Sequence, residues 1–371
     1  TTLYHLIFIV KIKIIMKVCI IGDGLTSLTL AKALVNQGVY VHIFTQQKLR
    51  KKNKGRTIGI SKSNLDFFNK NILNIKRLSW DIKKIEIYTE NLKNERLLNF
   101  KKDDKTLFSL IENDTLYKNL FLSLKKNKFF KFKKKIYNIN FIEKNYDLSF
   151  VCDVNSLISK KFFFKKLTKD YNSYAYTGII DHKKIDNFTA SQIFTKKGPF
   201  AFLPISKKQT SVVFSARGEK NINLKKFVEI YNKRYDITNL REINKFNLKS
   251  FTLRSYHFKN MLAFGDLLHK IHPLAGQGFN MSIRDIKEVV ELIKFKINLG
   301  LDLDSSVCTE FEKKTKTKNF LFMNGVDFIY ELFKFESALN QKFLSKSMQL
   351  VCQNKQLNKL FIKYADTGSI F

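Results

Sequence analysis

Short apolar runs alternate along this chain with longer stretches in which apolar residues recur every three or four positions. Near the N-terminus, the run Lys17–Ile21 is followed by a helical pattern that ends near Gly38 and by a second apolar run at Val39–Phe44. Further along, Met261–Phe264 is followed by apolar residues at helical spacing from Phe279 onward. Short apolar runs are typical of buried strands, and the longer spacing is typical of amphipathic helices. The pattern therefore predicts an α/β protein.

The middle of the chain predicts an antiparallel sheet. Its strand-like segments, joined by short connections, are Ser173–Asp181, Phe188–Phe194, Phe200–Pro204 and Ser211–Ala216. We interpret Trp80–Tyr88 as a strand that enters this second lobe, Asn91–Lys105 as a polar excursion, and Leu224–Tyr231 as a helix between the sheet and a return strand at Asn247–Tyr256. The helical periodicity of Ser305–Tyr364 predicts a C-terminal helical region.

The charge of the chain changes this picture little. The chain has 67 Lys and Arg residues against 32 Asp and Glu residues, a formal net charge of +35, which ordinarily indicates nucleic acid or an anionic membrane surface. Lysine greatly outnumbers arginine, and Asn, Ile, Phe and Tyr are plentiful, as an AT-rich coding bias produces. We therefore predict no nucleic-acid binding. The densest basic run, Lys125–Lys135, is interpreted as a solvated edge strand, with docking on lipid headgroups as the alternative.

Cysteine usage and the first residues set the expected compartment. The four cysteines, which are Cys19, Cys152, Cys308 and Cys352, are scattered and show no C-x-x-C spacing, so we predict free thiols in the reducing cytoplasm. Residues 1–15 are apolar but too short to span a bilayer, and no small-residue cleavage site follows them. We expect a non-native or disordered extension without functional content, or a first strand lengthened by Ile12–Ile15.

The first of two glycine-rich turns follows the strand Lys17–Ile21. Gly22 and Gly24 precede a helix, and Ser27 stands in place of a third glycine. This is a G-x-G-x-x-S version of the dinucleotide fingerprint, in which the first glycine makes the tight turn and the second admits a pyrophosphate to the helix N-terminus. The acidic residue expected at the end of the second strand is absent, because Thr45 stands there. We expect weaker or differently arranged ribose binding.

The second turn joins Asp266, which follows the strand Met261–Phe264, to a helix that begins with Gly276 and Gly278. Pro273 fixes the turn between them. The free N–H groups of such a helix start carry partial positive charge and favour an anion. This charge suits a reduced isoalloxazine ring, and Asp266 can accept a hydrogen bond from a sugar hydroxyl. The combination indicates a flavin nucleotide.

Two histidines in this turn, His269 and His272, have a spacing that also occurs in metal sites. No third ligand of a suitable type lies near them in the sequence, and zinc sites need three or four protein ligands. We therefore predict no metal and interpret His272 and Pro273 as turn-shaping residues. A Ser-His-Asp hydrolase is unsupported, because the chain has no G-x-S-x-G motif.

With these motifs the sequence resembles the flavin-dependent aromatic hydroxylases of ubiquinone biosynthesis, within the wider para-hydroxybenzoate-hydroxylase-like group. Four segments carry the resemblance in the family's order: Gly22–Ala31, Gly55–Ser61, Gly198–Pro204 and Gly265–Asp285. The resemblance implies a FAD-dependent monooxygenase that passes one hydroxyl group from a flavin hydroperoxide to a phenol, with a polyprenylated intermediate of ubiquinone biosynthesis as the substrate. NAD(P)H or a ferredoxin-like electron-transfer protein would reduce the FAD.

The resemblance also implies roles for single residues. The cofactor-binding candidates are Gly22, Gly24, Ser27, Arg56, Asn113, Asp266, Gly276, Gln277, Gly278 and Asn280. No catalytic residue is assigned, and the flavin-facing candidates are Arg56, His272 and Pro273. The chain departs from the family pattern where Val154 follows Asp153 in place of a glycine. We expect the phenylalanine-rich second lobe to keep water away from the flavin.

The implied fold is a Rossmann-like FAD-binding domain intertwined with an antiparallel-sheet substrate domain, plus C-terminal helices. We assign residues 16–78, 125–165 and 250–300 to the FAD-binding domain. Residues 79–124 and 166–249 are assigned to the substrate domain, and residues 301–371 to the helical region.

The expected partners are the aromatic substrate, O2, a quinone-synthesis complex and a membrane surface, with a peripheral position on the inner face of the plasma membrane. Two alternatives stay open. A flavin-dependent lipid reductase or epoxidase would share the FAD-binding frame, and a degenerate member of the family would serve as a scaffold in the quinone-synthesis complex.

Overall fold

The computed structural model describes residues 16–45, 55–92, 96–101, 106–134, 138–218, 220–273, 276–339, 346 and 355–368. Within these ranges the chain forms three sheets and a set of helices, so the α/β prediction is confirmed. The predictions for residues 1–15 and for Cys352 lie outside the described residues.

The strands of these ranges are β1 (Lys17–Ile21), β2 (Tyr40–Thr45), β3 (Thr57–Ser61), β4 (Trp80–Ile82), β5 (Lys84–Thr89), β6 (Arg96–Lys101), β7 (Phe108–Glu112), β8 (Phe130–Lys134), β9 (Leu148–Val151), β10 (Lys166–His182), β11 (Thr189–Thr195), β12 (Gly198–Pro204), β13 (Gln209–Arg217), β14 (Ile237–Leu253), β15 (His257–Phe258), β16 (Met261–Ala263) and β17 (His269–Lys270). The helices are α1 (Leu25–Val35), α2 (Lys62–Asn71), α3 (Asn113–Lys125), α4 (Ile139–Asn145), α5 (Leu157–Phe162), α6 (Leu224–Tyr231), α7 (Gln277–Asn298), α8 (Ser305–Leu339) and α9 (Lys355–Thr367).

The first sheet has six strands in the order β15-β16-β9-β1-β2-β8. Strand β1 pairs in parallel with both β2 and β9, and β16 pairs in parallel with β9. Four consecutive residues of β1, from Val18 to Ile21, are buried, as expected for a parallel strand that is covered on both faces. The carboxyl ends of β1, β9 and β16 therefore lie at one edge of this sheet.

The second sheet has eight strands in the order β17-β14-β10-β13-β12-β11-β5-β6, and all its pairs are antiparallel except β11 with β5. The predicted antiparallel sheet is thus confirmed. The predicted strand Trp80–Tyr88 is divided at Lys83, because β4 joins a three-stranded sheet with β3 and β7 whereas β5 joins the large sheet.

The interpretation of Asn91–Lys105 as a polar excursion is wrong in part, because it contains the edge strand β6. Leu97 and Leu98 of this strand are buried in a cluster with Met323 and Phe333 of α8. Only two consecutive residues of this strand are buried, and lysines and asparagines surround them. The periodicity of the sequence therefore does not reveal the strand.

The basic run that begins at Lys125 contains β8, which lies at the edge of the first sheet next to β2. Phe130 is buried in the hydrophobic core that packs on the first sheet. Lys131 and Lys133 alternate with the phenylalanines along the strand. The edge-strand interpretation is therefore confirmed. Lysines at such an edge oppose pairing with another chain.

The assignment of ranges to domains stays a prediction, but one helix bears on it. Leu116, Leu120 and Leu124 of α3, which the assignment places in the substrate domain, are buried in the core of the first sheet. Helix α3 packs against α1, because its leucines recur at helical spacing on the side that faces α1.

A buried polar network fastens β17 to two helices. His269 Nε2 lies 2.5 Å from Asp285 Oδ2 of α7, and Asn319 of α8 donates a hydrogen bond of 3.0 Å to Asp285 Oδ1. The side chains of His269 and Asp285 are each 1% exposed. The network fixes the start of the segment that leads into α7.

His272, three residues further along, is held by aromatic rings. Its ring centroid lies 4.8 Å from that of Tyr171 and 4.3 Å from that of Tyr330. Tyr171 donates a hydrogen bond to Asp327 of α8. Burial, together with the charge of Lys169, lowers the pKa of His272 to about 3. The histidine is therefore neutral in the folded protein near pH 7.

Loss of the Asp285 carboxylate is expected to destabilise the fold. Asp285→Ala leaves His269 and Asn319 buried without their partner, so we expect the free energy of unfolding to fall by about 3–5 kcal/mol. Asp302→Ala, at an exposed position, is the matched control with little expected change. Chemical denaturation measures both, and an Asp285→Ala variant as stable as the control would contradict this account.

The histidine predicts a pH dependence of stability. Its folded pKa of about 3 lies below the ordinary value of 6.5, so the unfolded chain binds the proton first. Stability is full above pH 6.5 and falls as the pH drops toward 3, by about 1.4 kcal/mol for each pH unit.

The His272→Asn variant lacks this titration. We therefore expect the difference in free energy of unfolding between wild type and variant to change with this slope between pH 6 and pH 4. Parallel pH curves from chemical denaturation would be evidence against a buried neutral histidine.

Candidate functional site

The first glycine-rich turn lies at the carboxyl end of β1. Gly22 has φ of +111°, and a Cβ there would come within 3.0 Å of the Asp153 backbone nitrogen. Gly24 is the N-cap of α1, which has no side-chain cap, and a Cβ there would meet no atom within 4 Å. The start of α1 therefore has no side chain that caps its N–H groups and has room beside Gly24, as a phosphate site requires.

Ser27 is fully buried on the inner side of α1. Its hydroxyl lies beside the thiol of Cys152, which follows β9. Burial raises the pKa of the Cys152 thiol to about 12, so the thiol is neutral. Ser27 thus contributes close packing of α1 on the sheet, which is the task of the third glycine in the usual fingerprint.

Asp266 lies at the same edge, in a short 3₁₀ helix (Gly265–Leu267) that follows β16. Its side chain is exposed, and its charge acts on the thiol of Cys152. A Cβ at Gly265 would lie 2.9 Å from Thr26 of α1, so only glycine allows this approach. The structure therefore brings Asp266 to the start of α1.

The second glycine-rich turn opens α7. Gly276 is its N-cap, with φ of +65° and no side-chain cap, and it packs against Gly59 of β3. A Cβ at Gly278 would meet no atom within 4 Å. Gln277 is 9% exposed, and among the described residues its Oε1 has no hydrogen-bond partner. The helix start thus offers free donors and one free acceptor. Pro273 accepts a hydrogen bond of 3.1 Å from the Gly276 N–H.

Asn280 joins the first turn of α7 to β3. Its Oδ1 accepts hydrogen bonds from Ser61 N (2.9 Å) and Asn64 Nδ2 (3.0 Å), and its Nδ2 donates to Gly59 O (3.0 Å). These bonds use the amide within the protein. Asn280 therefore braces the start of α7 against β3, and its predicted contact with the cofactor stays a prediction.

Arg56 and Asn113 are neighbours at one end of the β3–β7 pair. The Asn113 N–H donates a hydrogen bond of 2.9 Å to the Arg56 carbonyl. The Arg56 side chain is exposed, whereas Asn113 is 4% exposed, and within the described ranges its Oδ1 has no hydrogen-bond partner. A buried acceptor of this kind is suited to a donor on a bound molecule.

Two contacts of β3 and α2 have no local signal in the sequence. Thr57 donates a hydrogen bond of 2.9 Å to Ser211 of β13, which ties β3 to the large sheet. Asp366 of α9 accepts a hydrogen bond of 2.8 Å from the Ser63 N–H, so a carboxylate 303 positions away caps α2. Neither pair could be found from spacing, because each joins distant parts of the chain.

Three phenylalanines of the large sheet face away from β3. Phe200, Phe202 and Phe214 are buried in a cluster that includes Leu224 of α6. Alternate residues of a strand face opposite sides, so Ser211 and Phe214 of β13 project from different faces. The expectation that the phenylalanine-rich lobe keeps water from the flavin stays a prediction, and these three phenylalanines lie on the face opposite to Ser211.

The residues at the two helix starts fit a dinucleotide with an attached polar ring. Two uncapped helix starts supply N–H donors, glycines at 24 and 278 leave room where a side chain would block approach, and Asp266 supplies an acceptor. Within the part of the chain that the structure describes, no group of three or more His, Cys, Asp or Glu side chains is placed to hold a metal ion.

Comparison with known proteins also indicates a FAD-binding protein. A family model described as a FAD binding domain matches residues 202–298, and this confirms the predicted cofactor. The ubiquinone biosynthesis monooxygenase COQ6 of Drosophila melanogaster is 24% identical over 58% of this chain and 56% of its own length. The ubiquinone hydroxylase UbiL of Rhodospirillum rubrum is 25% identical over 53% of this chain and 49% of its own.

A further relative is the 3-demethoxyubiquinol 3-hydroxylase of Escherichia coli, which is 28% identical over 38% of this chain and 38% of its own length. The chain thus spans about half, or less, of the length of these curated relatives.

Solved structures share the fold over almost the whole chain. The p-nitrophenol 4-monooxygenase PnpA of Pseudomonas putida has a TM-score of 0.76 at 11% identity, covering 96% of this chain and 98% of that one. HpxO of Klebsiella pneumoniae, complexed with FAD and uric acid, has a TM-score of 0.74 at 12% identity, covering 95% and 96%. The chain is thus similar in sequence to FAD-dependent hydroxylases of ubiquinone biosynthesis, and it shares the fold of the solved monooxygenases.

Proposed function

We propose that the protein is a FAD-dependent monooxygenase that hydroxylates the ring of a polyprenylated phenol in ubiquinone biosynthesis. NAD(P)H or an electron-transfer protein supplies the electrons, and O2 supplies the oxygen atom. The observations that carry the proposal are the approach of the Asp266 segment to the uncapped start of α1 and the uncapped start of α7, which packs on Gly59 of β3. The family matches support the reaction class.

Each part of the site has a separate task in this proposal. The start of α1 holds the pyrophosphate, and Asp266 accepts a hydrogen bond from a hydroxyl of the flavin side chain. The start of α7 stabilises negative charge at the pyrimidine end of the flavin ring. FAD, when bound, supplies the chemistry with oxygen.

The remaining residues position these groups. Asn113 offers Oδ1 to the dinucleotide, and Asn280, His269 and His272 keep the α7 start in place. Arg56 carries positive charge at the exposed end of β3.

Oxygen uptake tests the reaction directly. The protein loaded with FAD and given NADH or a chemical reductant is expected to consume O2 faster when a short-chain prenylated phenol is added, with one hydroxyl group gained by the phenol in mass spectrometry. A lipid reductase or epoxidase would show no phenol-dependent uptake. A scaffold would show no uptake at all.

Two substitutions test the proposed FAD site. Gly278→Val puts a side chain into space that is open in the structure, so we expect an unchanged thermal unfolding midpoint but loss of FAD. Asp266→Ala removes an exposed acceptor, and we expect FAD affinity to fall about tenfold.

The matched controls are Gly278→Ala, which fills less of the same space, and Asp302→Ala, which removes an exposed carboxylate elsewhere. Titration of flavin fluorescence measures all four variants. Full retention of FAD by both Gly278→Val and Asp266→Ala would refute the site assignment.

An exposed face of α8 supports a peripheral position on a membrane. Leu321, Phe328 and Phe335 lie seven residues apart and are 60%, 67% and 60% exposed. The exposed lysines Lys313 and Lys318 precede them on the same helix. No helix within the described residues is long and apolar enough to cross a bilayer. We propose that this face rests on anionic lipid at the cytoplasmic surface, where a polyprenylated substrate and a quinone-synthesis complex would be found.

Vesicle sedimentation tests the α8 face. Phe328→Ser is expected to weaken binding to vesicles that contain phosphatidylglycerol by about tenfold, because it removes one buried ring from the lipid interface. Phe295→Ser, which changes a ring 61% exposed on α7, is the matched control with unchanged binding. Equal binding by both variants would contradict the proposal, and a concentration-dependent dimer lost only in Phe328→Ser would assign the face to a second copy of the chain.

A further inference from the structure

The adenosine ribose has no obvious partner in this sequence. In dinucleotide-binding folds, an acidic residue about 20 residues after the glycine-rich turn, at the end of the second strand, binds the ribose 2′-hydroxyl. Here that strand, β2, ends at Thr45, which carries no charge. A site for FAD with this turn therefore needs a carboxylate from elsewhere or binds the ribose without one.

The structure places a carboxylate at the end of β2 by another route. Thr45 Oγ1 donates a hydrogen bond of 2.8 Å to Asp23 Oδ2. Asp23 is the residue between the two glycines of the turn after β1, 22 positions earlier in the chain. The Asp23 carboxylate thus lies at the end of β2, where the missing acidic residue would be.

The backbone keeps this contact in register. Ile21 of β1 pairs with Phe44 of β2, and the Gly22 N–H donates a hydrogen bond of 2.9 Å to the Phe44 carbonyl. Gly22 then turns the chain with φ of +111°, which a residue with a Cβ would rarely adopt. Asp23 follows this anchored turn directly, so the path of the backbone directs it to the end of β2.

The chemistry of the pair suits a sugar. Asp23 and Thr45 are both partly exposed, so a ligand can reach them. A carboxylate is an acceptor through both oxygens, and the bond from Thr45 leaves Asp23 the capacity to accept from a ribose hydroxyl. The start of α1 next to it supplies positive charge that offsets the repulsion between the carboxylate and a pyrophosphate.

We propose that Asp23 is the carboxylate that binds the adenosine ribose of FAD, in place of an acid at the end of β2, and that Thr45 positions it. The inference rests on the proposed FAD site and assigns the part of it that holds the ribose. It also makes the site selective for a free 2′-hydroxyl, because a carboxylate at this place repels a 2′-phosphate.

Binding of FAD and of its 2′-deoxyadenosine analogue tests the assignment. The wild type is expected to bind FAD about tenfold more tightly than the analogue, because the analogue lacks the hydroxyl that Asp23 accepts. Asp23→Ala is expected to bind both equally, and Thr45→Val to show a reduced preference. Calorimetry or fluorescence titration gives these ratios without any turnover.

A rescue variant separates recognition from folding. Asp23→Ala combined with Thr45→Glu removes the carboxylate from the turn and restores one at the end of β2, so the preference for FAD over the analogue should return. Asp153→Ala is the matched control, because it removes another carboxylate beside Gly22 and is expected to leave the preference unchanged.

Two results would overturn the assignment while leaving the FAD site intact. One is a wild type that binds FAD and the analogue equally, and the other is an Asp23→Ala variant that keeps the wild-type preference. A wild type that binds neither ligand would instead overturn the FAD site itself, and the ribose assignment with it.

Discussion

The site depends on one buried amide. Asn280, 2% exposed, is bonded to Gly59 and Ser61 of β3 and to Asn64 of α2, more than 200 positions earlier in the chain. Backbone groups buried at such a junction need partners, and an amide that both donates and accepts satisfies them together. This constraint sets the position of the α7 start against β3. Every proposed contact to the flavin ring depends on that position.

The turn before α7 is also held by a polar pair and by aromatic rings. His269 and Asp285 form a buried polar pair below the turn, whereas His272 is neutral between two tyrosine rings. The free helix N-terminus above them faces open space at Gly278. The turn is therefore rigid where it meets the protein and unobstructed where a ligand would approach. This division suits a site that is formed before its cofactor binds.

Much of this could be predicted from local patterns. The strand–glycine–helix order around Gly22 and around Gly276 requires only neighbouring residues, because a turn, a cap and a periodicity are local properties. The edge strand at Phe130 could be predicted for the same reason.

The contacts across the chain could not be predicted. The cap of α2 by Asp366, the pair of Asp23 and Thr45 and the burial of Leu97 against α8 depend on which elements meet in space. The bonds from Asn280 to β3 and the packing of Phe200, Phe202 and Phe214 on α6 depend on such meetings too, so spacing along the chain does not predict them.

The most direct test of the account is the visible spectrum of the purified chain after addition of FAD and gel filtration. We expect flavin absorption bands that stay with the protein, disappear on anaerobic reduction and return when O2 is admitted. A colourless protein after gel filtration would contradict the central claim that the edge of the first sheet and the start of α7 together form a FAD site.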